Sequence, residues 1–249
     1  MHHFFVAPEQ INVDDRSVII SGTDVNHIKN VLRMRMGEEF SVSNGQDGRE
    51  YRCAVLAMEE DRILGELRFI KEDKVELPAR IHLFQGLPKG DKMELIVQKA
   101  VELGVFRIVP VAASRCVVKL DHKKAAARTA RWQSIAEAAA KQSRRGLVPK
   151  VTEVSDFRQA VEMASEMNVR LIPYELAQDI SKTRRLLEEI KPEQDVAVFI
   201  GPEGGFAEEE IAFALEKGLE PITLGKRILR TETAGMTMLS WLMYVLETQ

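Results

Sequence analysis

The chain has 249 residues, 45% of them apolar and 29% charged, with a net charge of −3. That composition suits a folded chain of one large or two modest domains and excludes a disordered, collagenous or disulfide-scaffold protein. Met1–Val6 lacks a basic stretch followed by a long apolar run, no segment is long enough to span a membrane, and Cys53 and Cys116 stand far apart without ligand spacing, so a reduced, cytoplasmic protein without structural zinc or membrane contact is expected.

Residues 1–72 read as β-rich. Asp24–Met34 has helical spacing at Ile28, Val31 and Leu32 and carries His27, Lys29 and Arg33. Glu39–Ser43 alternates, Asn44-Gly45 and Asp47-Gly48 supply turn chemistry, and Arg49–Leu56 and Arg62–Ile70 follow as strands. The pattern predicts a small closed β-barrel with one helical insertion.

From about residue 80 short apolar runs alternate with helix-length segments. The strands are Ile81–Gln85, Ile108–Val111, Val169–Ile172, Val196–Ile200 and Ile222–Leu224; the helices are Asp91–Leu103, Ala125–Ser143, Asp156–Met167, Ser181–Ile190, Ala207–Lys217 and Thr233–Leu246. This order predicts an α/β domain over 73–249, a mostly parallel sheet covered on both faces. Charge is uneven: residues 1–72 carry −4, 73–150 carry +9 and 151–249 carry −8. The basic middle points to a nucleic-acid partner, against the plainer reading of a solvated helix face.

Four stretches can carry chemistry. Ile200-Gly201-Pro202-Glu203-Gly204-Gly205-Phe206 joins a buried strand to a helix, where α/β sheets place ligands and where glycines admit close backbone approach. Three carboxylates, Glu208–Glu210, open the next helix and oppose a phosphate there, favouring a neutral or cationic nucleoside; a plain turn remains the alternative. Leu224–Gly235 is a long loop in which Arg227 and Arg230 can hold an anion, while Thr231 or Thr233 can cap the last helix. On the basic segment Arg115–Arg145, Lys124, Arg128 and Arg131 share a helix face, and Trp132, Gln142, Arg144 and Arg145 add stacking and hydrogen-bonding options. In Gln85–Lys92, Asp91 suits an N-cap, and Lys89 and Lys92 can reach an anionic substrate. The five histidines have no metal-ligand spacing, and the last helix is apolar nearly all round, as in a buried helix or a subunit interface.

In this order the motifs resemble the RsmE family of 16S ribosomal RNA uridine-N3 methyltransferases, within the SPOUT superfamily. The resemblance spans essentially the whole chain. Its specific part is Gly201-Pro202-Glu203-Gly204-Gly205 with Leu224-Gly225, Arg227-Ile228-Leu229-Arg230 and Glu232-Thr233-Ala234. Phe4-Phe5-Val6, Leu87-Pro88-Lys89-Gly90-Asp91, Gln98-Lys99, Glu102-Leu103-Gly104 and Glu137-Ala138-Ala139 support it. Two positions depart: His3 stands where the family usually has arginine, and Lys141 where it often has glutamate.

The resemblance implies a SPOUT trefoil-knot domain over 73–249 and a PUA-like RNA-binding β-barrel over 1–72. It further implies a homodimer, with 16S rRNA as substrate and S-adenosylmethionine (SAM) as cofactor. The expected cofactor contacts are Pro173, Tyr174, Ile200, Gly201, Gly204, Leu224, Ile228, Leu229, Arg230 and Thr233. The expected RNA contacts are Arg33, Lys89, Arg115, Arg128, Arg131 and Arg145. Arg230 is expected to stabilise the developing uridine anion, with Glu232 the second candidate, as general base. The competing readings are a noncatalytic RNA-binding or ribosome-assembly protein on the same scaffold, methylation at another RNA position, and, more distantly, a nicotinamide-dependent oxidoreductase.

Overall fold

The computed structural model describes residues 1–72 and 75–248. They form two compact units, one of residues 1–76 with 140–148, the other of 77–139 with 149–249. The junction expected at 72/73 runs into Asp73 and Lys74, which lie outside the described residues.

The first unit is a six-stranded sheet of β1 (His2–Phe5), β2 (Ile11–Asn12), β3 (Ser17–Ser21), β4 (Glu39–Ser43), β5 (Arg49–Met58) and β6 (Arg62–Glu72), in the order β1-β4-β5-β6-β3-β2. Register shifts at Arg52/Cys53 and Val55/Ala57 curl the long β5–β6 pair around a core containing Phe4, Ile20, Ile28, Phe40, Cys53 and Ile63. The expected closed barrel is corrected to a curled sheet with two ends. β1 pairs with β4 and β2 with β3, and the chain between them turns at Pro8–Gln10 without laddering β1 to β2. The helical insertion is shorter than Asp24–Met34: α1 (Thr23–Asn26) runs into one π turn over His27–Val31, and Arg33 lies beyond it at φ 52°.

Segment 140–148 belongs with this sheet. Val148 N donates to Gly45 O at 3.0 Å, and the buried Arg145 guanidinium is held by the Glu76 carboxylate. Lys141 pairs with Asp24 at 3.1 Å.

The second unit carries strands β7 (Arg80–Gly86), β8 (Arg107–Ala112), β9 (Lys150–Val151), β10 (Ser155–Asp156), β11 (Val169–Pro173), β12 (Asp195–Ile200) and β13 (Glu220–Ile222). All pair in parallel, in the order β10-β8-β7-β12-β11-β13, with β9 also on β8. Every residue of Ile81–Gly86, Ile108–Val111 and Val196–Ile200 is buried, so both pleat faces of the central strands are covered. The flanking helices are α2 (Lys92–Glu102), α3 (His122–Ser143), α4 (Phe157–Ala164), α5 (Ile180–Glu188), α6 (Glu208–Glu216) and α7 (Thr231–Glu247), α3 running on into the 140–148 segment. α2 and α5 pack on α7, and α4 packs on α6.

Local chemistry starts the helices. Asp156 caps α4 by accepting from Gln159 N at 2.9 Å, and Asp179 caps α5 by accepting from Ser181 N and Lys182 N. Asp91 precedes α2 as expected, but its side chain makes no capping bond. Phe84 and Phe199 stack at 4.4 Å on the adjacent central strands, and Phe157 meets both Phe199 and Phe206. Burial raises both thiols, Cys53 to about 12, so neither is poised as a nucleophile. Among the described residues no helix is long and apolar enough to cross a membrane.

Candidate active site

The C-terminal ends of β12, β11 and β13 come together, and the loops after them, with Lys92 and Arg115, line a cleft of about 650 Å³. One wall is the loop after β12. Gly205 N donates to Pro202 O at 2.9 Å, closing a tight turn, and Gly205 takes φ 67°, which favours glycine. A side chain on Gly201 would meet Gly205 backbone at 3.2 Å. Phe206 ends the loop by packing on Phe157, which fixes the turn to the core.

The opposite wall is the loop 223–230. Its start is fixed by Thr183 of α5, whose buried hydroxyl donates to Thr223 O at 3.3 Å and accepts from Thr223 N at 3.1 Å. Tyr174 N donates to Ile222 O at 2.9 Å and brings the end of β11 beside it.

Of the ten expected cofactor residues, nine line the cleft: Pro173, Tyr174, Ile200, Gly201 and Gly204, and across from them Leu224, Ile228, Leu229 and Arg230. Thr233 does not, because α7 begins at Thr231 and the helical turn brings Thr231 and Ala234 to the lining instead. The capping expectation for Thr231 and Thr233 is likewise corrected. Arg230 is the N-cap residue, and Thr231, buried, uses its hydroxyl to donate to Gly201 O at 2.6 Å.

The rim carries both signs of charge. Arg115, Arg227 and Arg230 can meet a carboxylate or phosphate, and Glu175 and Glu203 a cation. Arg115 donates to Gly204 O at 3.3 Å. Lys92 Nζ lies 2.9 Å from Glu203 and 3.4 Å from Glu232. Burial works to raise the Glu203 carboxyl, but hydrogen bonds from Lys92 and the Lys89 backbone outweigh it and hold the group below the ordinary carboxylate range. Lys92 is correspondingly raised, first by its hydrogen bond to Glu203. Glu232 does not line the cleft, and its buried Oε2 faces Lys92 without a well-formed hydrogen bond.

None of Glu208, Glu209 and Glu210 lines the cleft. Glu210 accepts from Ala207 N and from Ser114 N, each at 2.8 Å, which ties the start of α6 to the 113–116 loop. The acidic triplet therefore shapes the surroundings of the site rather than repelling a ligand inside it. A cleft of this size, walled by glycine backbone and lined by charged side chains of both signs, can take a small ligand that carries both an anionic and a cationic group.

The expected RNA contacts differ in exposure and pairing. Arg33 and Arg128 are exposed, and Lys89 is exposed with its backbone N–H on Glu203. Arg131 is exposed but pairs with Glu94 at 2.6 Å. Arg145 is corrected: it is buried on Glu76 and presents no free guanidinium face to solvent. Trp132 is also buried, so it packs rather than stacks on a base. Sequence reasoning missed Glu203 and Thr231 as cleft-lining residues, and Gln85 as the buried partner of Thr231. For Glu203 a signal was present, since it stands inside the glycine turn; for buried Gln85, a polar residue ending an apolar strand was the signal.

A family model described as RNA methyltransferase domain matches residues 75–243, and one described as RNA methyltransferase PUA domain matches residues 20–68. The ribosomal RNA small subunit methyltransferase E of Bacillus subtilis is 35% identical over 99% of this chain and 98% of its own length. The enzyme of the same name from Neisseria gonorrhoeae, solved bound to SAM, is 33% identical with a TM-score of 0.82, covering 98% of each chain. A Legionella pneumophila methyltransferase, solved with the cofactor SAM, is 32% identical with a TM-score of 0.77, over 98% of this chain and 95% of that one. The chain belongs to the ribosomal RNA small subunit methyltransferase E family.

Proposed function

We propose that this protein methylates N3 of one uridine in 16S rRNA, in the small ribosomal subunit or its precursor, with SAM bound in the strand-end cleft. The observation that carries the reading is the glycine-walled cleft, in a chain one-third identical to a ribosomal RNA methyltransferase solved with SAM. Residues 1–72 act as the PUA-like RNA-binding domain and 73–249 as the SPOUT methyltransferase domain, its two cleft loops threaded in a trefoil knot. The protein works in the cytoplasm as a homodimer, in which α7 and α5 supply apolar surface: Tyr244 and Ile180 are exposed.

When bound, SAM supplies an electrophilic methyl group. The protein must align uridine N3 with it, and alignment alone is worth roughly 7–11 kcal/mol of barrier. N3 carries a proton at neutral pH, so negative charge develops on the base as that proton passes to a general base or to solvent. Arg230, exposed at the mouth of the cleft and in no ion pair among the described residues, stabilises that charge. Glu232, set back against Lys92, is the second candidate, as general base. Arg33, Lys89, Arg115, Arg128 and Arg131 hold the RNA backbone.

The test has two arms. Small subunits from a strain lacking this activity are incubated with the protein and labelled SAM, and the product nucleoside is identified. N3-methyluridine is expected; a ribose-methylated product, or no label with no SAM binding as in a bare scaffold, overturns the reading. In single-turnover reactions at saturating SAM, Arg230→Ala should slow methylation by roughly a hundredfold. Unchanged rates in both Arg230→Ala and Glu232→Ala would remove the catalytic assignments.

A further inference from the structure

Beneath the cleft runs a buried polar chain that the mechanism above does not use. Gln85, near the end of β7 and fully buried, donates from Nε2 to Thr231 Oγ1 at 2.9 Å and to Gly86 O at 3.0 Å. Thr231 in turn donates to Gly201 O at 2.6 Å. Valence fixes the direction. The single hydroxyl proton goes to a carbonyl that can only accept, so the amide N–H must supply the other bond. Gln85 Oε1 is left buried without a partner among the described residues, close to Gly235, where a Cβ would lie 3.6 Å from it.

The setting makes this chain expensive as mere packing. Gln85 sits beside Phe84, Ile200 and Leu83, where an apolar side chain would bury without desolvation cost. Its amide is compensated by the local bond to Gly86 O and, across 146 residues of sequence, by Thr231. The Thr231–Gly201 bond joins the two walls of the cleft, since Gly201 begins the 201–206 loop and Thr231 directly follows the 223–230 loop, and Gln85 ties Thr231 to the end of β7. Consecutive donors in a dry interior reinforce one another, so the chain fixes the separation of two segments 30 residues apart in sequence.

We propose, on the reading that the cleft holds SAM, that Gln85 is a positioning residue for methyl transfer. Acting through Thr231, it sets the gap between the loop walls and hence where the cofactor is held. It touches neither substrate nor cofactor.

The experiment is calorimetric titration of the full-length protein with SAM, with steady-state kinetics and thermal unfolding recorded for each variant. Thr231→Val keeps the shape and removes the hydroxyl; Gln85→Met keeps the length and removes the donor. Each should raise the Kd and KM for SAM roughly tenfold, leaving affinity for RNA unchanged. The double variant should lose no more than either single one, because one chain is broken once. Thr231→Ser, which retains the hydroxyl, should bind SAM like the unaltered protein. Should Gln85→Met fold poorly, Gln85→Asn, polar but one methylene short of Thr231, should show the same loss.

If Thr231→Val and Gln85→Met unfold more easily yet bind and use SAM normally, or if their losses in SAM affinity multiply in the double variant, the relay is structural only and the inference falls alone. If the unaltered protein itself gives no SAM binding, the reading of the cleft falls and takes the inference with it.

Discussion

Gly86 ends β7 directly under the first wall of the cleft. A Cβ there would lie 2.6 Å from both the nitrogen and Cδ of Pro202, and 3.0 Å from the Gly201 carbonyl carbon. The φ of Gly86 is not in the left-handed region, so Gly86→Ala carries no backbone strain and its whole effect is this contact. Neither obstacle is the end of a flexible side chain: proline fixes its own φ, and Gly201 is tied to Thr231. Carbon atoms rest about 3.5–4.0 Å apart, so the loop must retreat by roughly 1 Å. Overpacking of this kind costs about 1–3 kcal/mol. Gly201 and Pro202 line the cleft, so the retreat narrows it. A misplacement of about 1 Å can cost up to a hundredfold in rate. Gly86→Ala should therefore lower the urea midpoint by an amount equivalent to about 2 kcal/mol, and reduce kcat/KM for SAM by roughly tenfold or more. Gly90→Ala is the control. It also carries a strand-end loop glycine, at φ 63° but with nothing within 4 Å of a built Cβ, so it should cost about 1 kcal/mol of backbone strain and leave SAM affinity intact. A Gly86→Ala protein with unaltered urea midpoint and SAM affinity would refute the close packing of the loop on the strand end.

Glu76→Ala removes the carboxylate that holds buried Arg145 and should destabilise the first unit by about 3 kcal/mol, read by thermal unfolding, with Glu76→Gln losing less. Arg128→Glu combined with Arg131→Glu should weaken RNA binding and flatten its salt dependence, measured by filter binding across salt concentrations; retained slope would return that face of α3 to simple solvation. His82 supplies a pH dependence. Burial holds its imidazole below the ordinary value, outweighing the hydrogen bond to Asp195, so the folded state favours the neutral ring. Its contribution to stability is full above about pH 6.5 and is lost as pH falls from there through the lowered folded value. Urea midpoints taken from pH 8 down to 5 should fall in that window, and less so in His82→Gln.

The α/β half of the fold is legible in sequence because its central strands are buried on both faces. Val196–Ile200 reads as an unbroken apolar run and Ile81–Gln85 as a mostly apolar one, and they stand within a residue or two of β12 and β7. The N-terminal sheet is less so. β1 and β3 are short, and whether a sheet closes depends on which edges meet, not on alternation within a strand. Period and charge kept segment 140–148 within the 73–249 domain and gave no sign that it groups with the first unit. It joins the first unit through contacts such as Arg145 with Glu76, 69 residues away, and nothing local in the sequence reports such a partner. The cleft was legible where backbone makes the wall, at Gly201 and Gly204. At the start of α7 it was not: the helix begins two residues before the expected Thr233, and Thr231 rather than Thr233 lines the cleft.

Charge shows the same division between what a segment and a residue can reveal. The excess of +9 over 73–150 is a property of composition and survives folding. Which cations remain available does not follow from it. Arg145 is spent on Glu76, Arg131 leans on Glu94, Lys141 on Asp24, Lys99 on Glu102, and Lys92 on Glu203 and Glu232. The exposed pairs cost little to break, so a phosphate can still recruit Arg131. The buried one cannot be recruited without leaving Glu76 and Arg145 mutually unpaired. A basic segment thus predicts that an anionic partner binds, while burial and existing carboxylates decide which of its arginines are free to meet it. By that criterion Arg128, exposed on α3, and Arg115, at the rim of the cleft, are the cations through which the RNA should first be felt.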